Sequence, residues 1–251
     1  MWRVFLAFFI GSILQANTIE KGIELFEEKK FKEAFRVLMP FAKKGEAEAE
    51  FFIGLIYDMG SIDLMDKKKA VIWYLKAAKK GYPRAQYDMG VMLSKGEGIK
   101  KDLKEALKWY QKSAKNGFGY AMYNLGVAYQ RGYGTDIDLD LAKSWYKRAL
   151  EHNISKAGFN LGSIYFRDDN FKEAFKFFKK AAELGDERAM FYLAWMYENG
   201  AGVERDFQKA KYFYKLSAIK GNKKATKKYI KILQNEKNFK EANFWKETLK
   251  W

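Results

Sequence analysis

Two serine–lysine pairs stand three residues apart in this chain, Ser144 with Lys147 and Ser217 with Lys220. On a helix, that spacing sets a hydroxyl one turn from an amine. It is the opening motif of serine enzymes that acylate themselves on β-lactams. Neither the Lys-Thr-Gly nor the Ser-Asp-Asn that accompanies it in such sites occurs here. Three turns, Gly96-Glu97-Gly98, Gly132-Tyr133-Gly134 and Gly200-Ala201-Gly202, have the composition of a phosphate cradle. None runs on into the Gly-Lys-Ser/Thr of a nucleotide-binding loop. The chain has no cysteine and a single histidine, His152. Thiol catalysis, disulfides and cysteine metal centres are therefore excluded, and a zinc centre lacks its second histidine. No catalytic residue, cofactor or metal is expected. Glu151-His152-Asn153-Ile154-Ser155 contains a glycosylation acceptor at Asn153.

The elements that would position these residues repeat. One alanine recurs at Ala49, Ala85, Ala121, Ala157, Ala189 and Ala225, in steps of 36, 36, 36, 32 and 36 residues. A second recurs at Ala34, Ala70, Ala106, Ala142, Ala174, Ala210 and Ala242, in steps of 36, 36, 36, 32, 36 and 32. Such periods are the mark of a stacked solenoid, which presents a long binding surface rather than a catalytic pocket. The two serine–lysine pairs fall at different phases of the period. Ser217 takes the core-facing position held elsewhere by Ala77, Ala149 and Ala181. The Gly-x-Gly turns recur at the same phase, which points to backbone geometry. Within residues 84–118, apolar and small residues follow helical spacing in both halves, with the glycine turn between them. Gly117 then sits at the place of a left-handed C-terminal cap, and Asn153 takes the place of the glycine at Gly81, Gly117, Gly185 and Gly221.

The stretches AMYNLGVAYQRGYG (121–134) and EALKWYQKSAKNG (105–117) carry the pattern in full. The chain resembles the Sel1-like repeat family, a relative of the tetratricopeptide repeat. The resemblance implies an all-α fold, a right-handed α/α solenoid of about seven helix-turn-helix repeats over residues 17–251. Four units carry the long glycine turn, the first marked by Gly60-Ser61. Three shorter units share Phe-Lys-Glu-Ala, at Phe31, Phe171 and Phe239, and look more like tetratricopeptide units. The small residue after each motif leucine (Gly54, Gly90, Gly126, Gly162, Ala194) is expected to let helices approach. The aromatic pairs (Trp73-Tyr74, Trp109-Tyr110, Trp145-Tyr146, Phe177-Phe178, Phe213-Tyr214) are expected to fill the gap between units. Terminal units of a solenoid need a polar outer face, and the lysines of residues 223–231 suit one.

The resemblance implies that the first helix of each pair lines a groove for a protein or peptide. The position before the motif leucine is Phe52, Asp88, Asn124, Asn160, Tyr192 and Lys228. The position five after the small residue is Met59, Lys95, Arg131, Arg167, Asn199 and Asn235. We expect Asp88, Lys95, Tyr123, Asn124, Arg131, Asn160, Arg167 and Tyr192 to contact the partner, since amide and guanidinium donors suit a peptide backbone or a carboxylate. The cysteine-rich Helicobacter-type relatives implied by the same resemblance suggest a β-lactam-binding or β-lactamase-like alternative. Those relatives carry a disulfide in each repeat, and this chain carries none.

The net charge is +16, from 47 basic and 31 acidic residues. The lysines are spread along the chain, which argues against a nucleic-acid arm. Weak contact with anionic envelope polymers, peptidoglycan or lipid headgroups, is a further alternative. A monomer is expected. Residues 1–16 read MWRVFLAFFIGSILQA: a positive start, a short apolar run and a small residue before polar Asn17-Thr18. This is the pattern of a secretory signal peptide cut after Ala16, which predicts a periplasmic or secreted protein.

Overall fold

The structure is a computed structural model that describes residues 18–61 and 63–248; the proposed signal segment and cleavage site lie outside the described residues. Fourteen α-helices, and no strand, are found among the described residues. They are α1 (Ile19–Glu27), α2 (Phe31–Lys44), α3 (Ala47–Met59), α4 (Lys67–Lys79), α5 (Pro83–Lys95), α6 (Leu103–Lys115), α7 (Gly119–Arg131), α8 (Leu139–Glu151), α9 (Ser155–Arg167), α10 (Phe171–Glu183), α11 (Glu187–Asn199), α12 (Phe207–Ile219), α13 (Lys223–Asn235) and α14 (Phe239–Thr248). They fall into two compact units, α1–α7 ending at Ile137 and α8–α14 beginning at Asp138. Within each unit a helix packs chiefly on its neighbours in sequence, the arrangement of an α/α solenoid.

The periodic alanines are the seam of each unit. Ala49, Ala85, Ala121, Ala157, Ala189 and Ala225 are fully buried, and the second set is buried throughout. The second helix of each long pair starts on an aspartate: Asp66, Asp102, Asp138 and Asp206 accept from the backbone N–H of Lys69, Glu105, Leu141 and Lys209 at 2.8–3.0 Å. Such caps satisfy donors that the first turn leaves orphaned. Asn170 and Asn238 do the same in the short units.

The two rings of each aromatic pair do different work. The second ring lies over the small residue of its own pair and also meets the next unit, as Phe178 does on Tyr192 and Tyr146 does with Asn160. A Cβ on Gly90 would stand 2.5 Å from the Tyr110 ring, and the same holds for Gly54 under Tyr74 and Gly162 under Phe178 at 2.7 Å. The first ring of the pair is half-buried at Trp73 and Trp145 and buried at Trp109, and in each a cation one turn on lies over it. Lys76 lies 3.8 Å from the Trp73 ring, Lys112 4.1 Å from Trp109 and Arg148 4.8 Å from Trp145.

Three of the glycine turns have both glycines in the left-handed region; Gly60 is extended instead, at φ −67° and ψ −168°. Gly98 shows why the second glycine is needed. At φ +68°, a Cβ there would lie 2.3 Å from the Lys67 carbonyl oxygen of α4. The short units turn in three residues through non-glycine left-handed positions, Lys29, Asp169 and Lys237. Asn153 is left-handed at φ +61°, like the glycines it replaces. The C-terminal cap departs from a purely polar face, since Phe239 and Phe244 on α14 are exposed.

Candidate functional site

In each unit, buried tyrosine hydroxyls from the second helices meet polar groups of the first helices. Tyr74, Tyr146 and Tyr214 are fully buried, and a buried hydroxyl needs a partner. The Tyr74 hydroxyl donates to Asp58 Oδ2 at 3.1 Å, and Tyr214 donates to Glu198 Oε2 at 2.6 Å. Tyr110 reaches Ser94 Oγ at 3.4 Å, and Asn160 Nδ2 donates to the Tyr146 hydroxyl at 3.1 Å. Burial pushes the Tyr74, Tyr110 and Tyr214 hydroxyls above their ordinary pKa. At Phe178 there is no hydroxyl, and the neighbouring polar positions are aromatic. Phe178 stacks on Tyr192 at 5.0 Å, and Phe166 meets Tyr192 edge-on at 5.3 Å.

These hydroxyls decide what the residues before the motif leucine do. Phe52 is core, packed on Phe26 and Phe51. Asn124 lies within hydrogen-bonding reach of the Tyr87 and Tyr110 hydroxyls. Asn160 serves Tyr146, Tyr192 belongs to the aromatic cluster around Phe178, and Lys228 Nζ pairs with Glu198 at 3.2 Å. Tyr123 is half-buried. The second row is exposed at the helix C-termini. Lys95 pairs with Glu97 at 3.5 Å, Arg131 donates to the Tyr133 hydroxyl at 3.4 Å, and Arg167 is exposed. Asp88, Lys95, Tyr123, Asn124 and Arg131 belong to the first unit; Asn160, Arg167 and Tyr192 belong to the second.

An opening on the first-helix face lies in the first unit. It is a groove of 570 Å³ lined by Leu55, Asp58 and Met59 of α3, Arg84, Tyr87 and Asp88 of α5, and Phe118 and Tyr120 at the start of α7. Met59 and Tyr120 are more than half exposed at its rim. Asp58 is held by Lys67 Nζ and the Tyr74 hydroxyl. Asp88 has no such partner, and burial pushes its carboxyl up to about 7, partly opposed by Arg84. The sequence reading singled out Asp88 but missed Arg84, Tyr87, Phe118 and Tyr120. The available signal was the phase of Arg84 and Tyr120, one residue ahead of the periodic alanine.

The serine–lysine pairs do not converge on a site. Ser217 is buried and its Oγ donates to the Glu187 carbonyl at 2.6 Å, while Lys220 is exposed. Ser113 does the same toward Pro83 in the first unit. Ser144 and Lys147 are both exposed on α8. Among the described residues no group of three His, Asp or Glu side chains could hold a metal.

The Sel1 repeat model matches residues 47–82, 83–118, 119–154, 155–186 and 187–222, well over half of the chain. The chain belongs to the Sel1 repeat family. The unit at 155–186, which reads as tetratricopeptide-like, is thus a Sel1 repeat with a shortened turn. A Sel1 repeat protein from Oxalobacter formigenes is 30% identical over 92% of this chain and 98% of its own, with a TM-score of 0.82. The c5321 protein, a protective antigen of uropathogenic Escherichia coli with the same repeat fold, is 31% identical with a TM-score of 0.83. The match covers 90% of this chain but only 51% of that one. Immunity protein Pa5087 from Pseudomonas aeruginosa shares the fold at 19% identity, over 79% and 81% of the two chains, with a TM-score of 0.52. No curated protein shows significant similarity to the chain. Sel1 repeat solenoids are in general protein-interaction scaffolds, and this chain has their fold.

Proposed function

We propose that this Sel1 repeat protein binds an extended segment of another protein along the first-helix face of its N-terminal unit, and that it does so in the cell envelope after export. The observation that carries the binding site is the 570 Å³ groove, open to solvent and rimmed by the exposed side chains of Met59 and Tyr120. A concave, largely apolar surface with few polar groups is what a ligand site requires. Export is supported by the segment 1–16, and no helix among the described residues is long and apolar enough to cross a membrane.

A photo-reactive phenylalanine analogue at Tyr120, compared with one at Ile72, tests the site. Ile72 is equally exposed, on the outer helix α4. The same protein band crosslinked from Tyr120 but not from Ile72 supports the groove; equal crosslinking from both positions refutes it. N-terminal sequencing of the envelope-fraction protein tests export, with Asn17 expected as the first residue and an intact Met1 contradicting it.

A second reading, contact with anionic envelope polymers, is favoured by one feature. Lys147, Lys176, Lys179 and Lys180 line a 530 Å³ groove between α8 and α10, interleaved with Glu151, Glu173 and Glu183. Attraction of this kind is screened by salt, so pelleting with envelope fragments at low but not high salt would support it. No pelleting at low salt would count against it.

A further inference from the structure

The groove of the first unit differs in charge from the protein that carries it. The chain as a whole is +16, yet the groove presents the carboxylates of Asp58 and Asp88. Asp58 is already neutralised by Lys67, which also approaches Glu97 at 3.6 Å. Asp88 has no cation within ion-pair distance and no hydrogen-bond donor among the described residues. Its nearest positive group is Arg84, one turn earlier, whose guanidinium lies 5.3 Å from the Phe51 ring centroid instead. Tyr74 lies close enough to feel the Asp88 charge but donates its hydroxyl hydrogen bond to Asp58. Asp88 is therefore a half-buried carboxyl that makes no ion pair, faces the open groove and is offset only in part by Arg84, which lines the same groove.

Three aromatic rings line the same space. Tyr87 and Phe118 lie 5.1 Å apart between centroids, Phe118 and Tyr120 5.9 Å, and Tyr87 and Tyr120 6.3 Å, all tilted by 44–55° rather than stacked. At such spacings the rings pack on one another, and the face they leave toward the groove, with a carboxyl beside it, suits an organic cation lying over the rings rather than between them. The apolar floor of Leu55 and Met59 continues past the rings, and the groove is far larger than one ammonium group.

We infer that the groove face of the Tyr87–Phe118–Tyr120 cluster, with Asp88 beside it, receives a lysine or arginine side chain of the bound protein segment, whose apolar neighbours lie over Leu55 and Met59. This inference rests on the reading that the groove takes a protein segment. It reverses the partner chemistry suggested by net charge, since the global field repels cations and only the local site selects one. A fitting segment thus carries one basic residue in an apolar context rather than a basic run.

The test uses the full chain and three fluorescein-labelled hexapeptides, Gly-Leu-Leu-X-Leu-Gly, with X as lysine, norleucine or glutamate. Fluorescence anisotropy should show the lysine peptide binding about 10-fold more tightly than the norleucine peptide, the scale of one desolvated cation–π and carboxylate contact, with the glutamate peptide weakest. Asp88→Asn should abolish the lysine preference, Tyr120→Ala should reduce it several-fold, and Ile72→Ala should leave it unchanged. Tyr120 is half exposed, so its substitution keeps the test valid if Asp88→Asn does not fold. Equal affinity for lysine and norleucine peptides, or a preference that survives both groove variants, overturns the inference while leaving the groove reading intact. If no peptide binds but tetramethylammonium shifts the Tyr120 ring resonances, the segment reading fails and the cation site stands. If neither binds, both fail.

Discussion

Gly96 and Gly98 stand two residues apart in one turn and have nearly the same backbone conformation, φ +81° and +68°. The structure separates their roles. A Cβ at Gly96 would meet the Lys101 Cβ at 3.2 Å, a contact relieved by a shift of a few tenths of an ångström in the exposed loop. A Cβ at Gly98 would stand 2.3 Å from the Lys67 carbonyl oxygen and 2.5 Å from its carbon, backbone atoms fixed in the first turn of α4. Gly96→Ala therefore carries the left-handed strain alone, about 1 kcal/mol. Gly98→Ala adds the overpacking of a backbone that cannot move without shifting α4, for about 3 kcal/mol in total. In thermal melts followed by circular dichroism, at roughly 2–4 °C per kcal/mol for a chain of this size, Gly96→Ala should lower the midpoint by about 3 °C and Gly98→Ala by about 9 °C. Gly96→Asn should be milder still, because asparagine tolerates the left-handed region better than alanine, as Asn153 does at φ +61° in the turn between pairs. Equal losses for the two alanine variants would refute the argument that the second glycine is required by the close approach of the neighbouring pair.

Three further expectations follow from the same geometry. Because the folded state holds the Asp88 proton up to about 7, its penalty is absent below the ordinary carboxylate range and grows as pH rises towards 7. Asp88→Asn should match the parent in urea denaturation near pH 4 and exceed it by about 2 kcal/mol at pH 8, half the full effect because groove water screens the charge; parallel pH profiles would contradict this. Tyr214→Phe removes the 2.6 Å bond to Glu198 and should cost about 2 kcal/mol, as bonds to charged acceptors do, measured as a lower denaturation midpoint. Ser217→Ala puts the alanine of other repeats where Oγ bonds the Glu187 carbonyl; it should cost about 1 kcal/mol and leave nitrocefin hydrolysis at the buffer rate in both proteins, whereas turnover lost in the variant would revive the hydrolase alternative.

The fold was legible because its signals are periodic. Alanines are conspicuous where helices touch, and Ala49 through Ala225 mark the seam without ambiguity. The left-handed role of Asn153 and the structural role of Ser217 could be read from phase alone, since other repeats hold glycine and alanine there. The groove was less legible, for a physical reason. Hydrophobicity does not say whether a ring is core or wall: Phe52 and Asp88 share one phase, yet Phe52 is packed on Phe26 while Asp88 faces the opening. Nor does it show what a polar group is already bonded to. Asn160 reads as a free donor, and in the fold its amide serves a tyrosine hydroxyl one helix away. The buried tyrosine hydroxyls were visible only as half of an aromatic pair, because a ring and its hydroxyl act on different neighbours.

Hydrogen–deuterium exchange of the protein, free and crosslinked to its captured partner through the Tyr120 analogue, tests the central claim most directly. The groove reading predicts slowed exchange confined to the C-terminal turn of α3, the N-terminal turns of α5 and α7, and the residues that join them to the groove rim. Protection confined to the outer helices α4 and α6, or to the second unit, would contradict it.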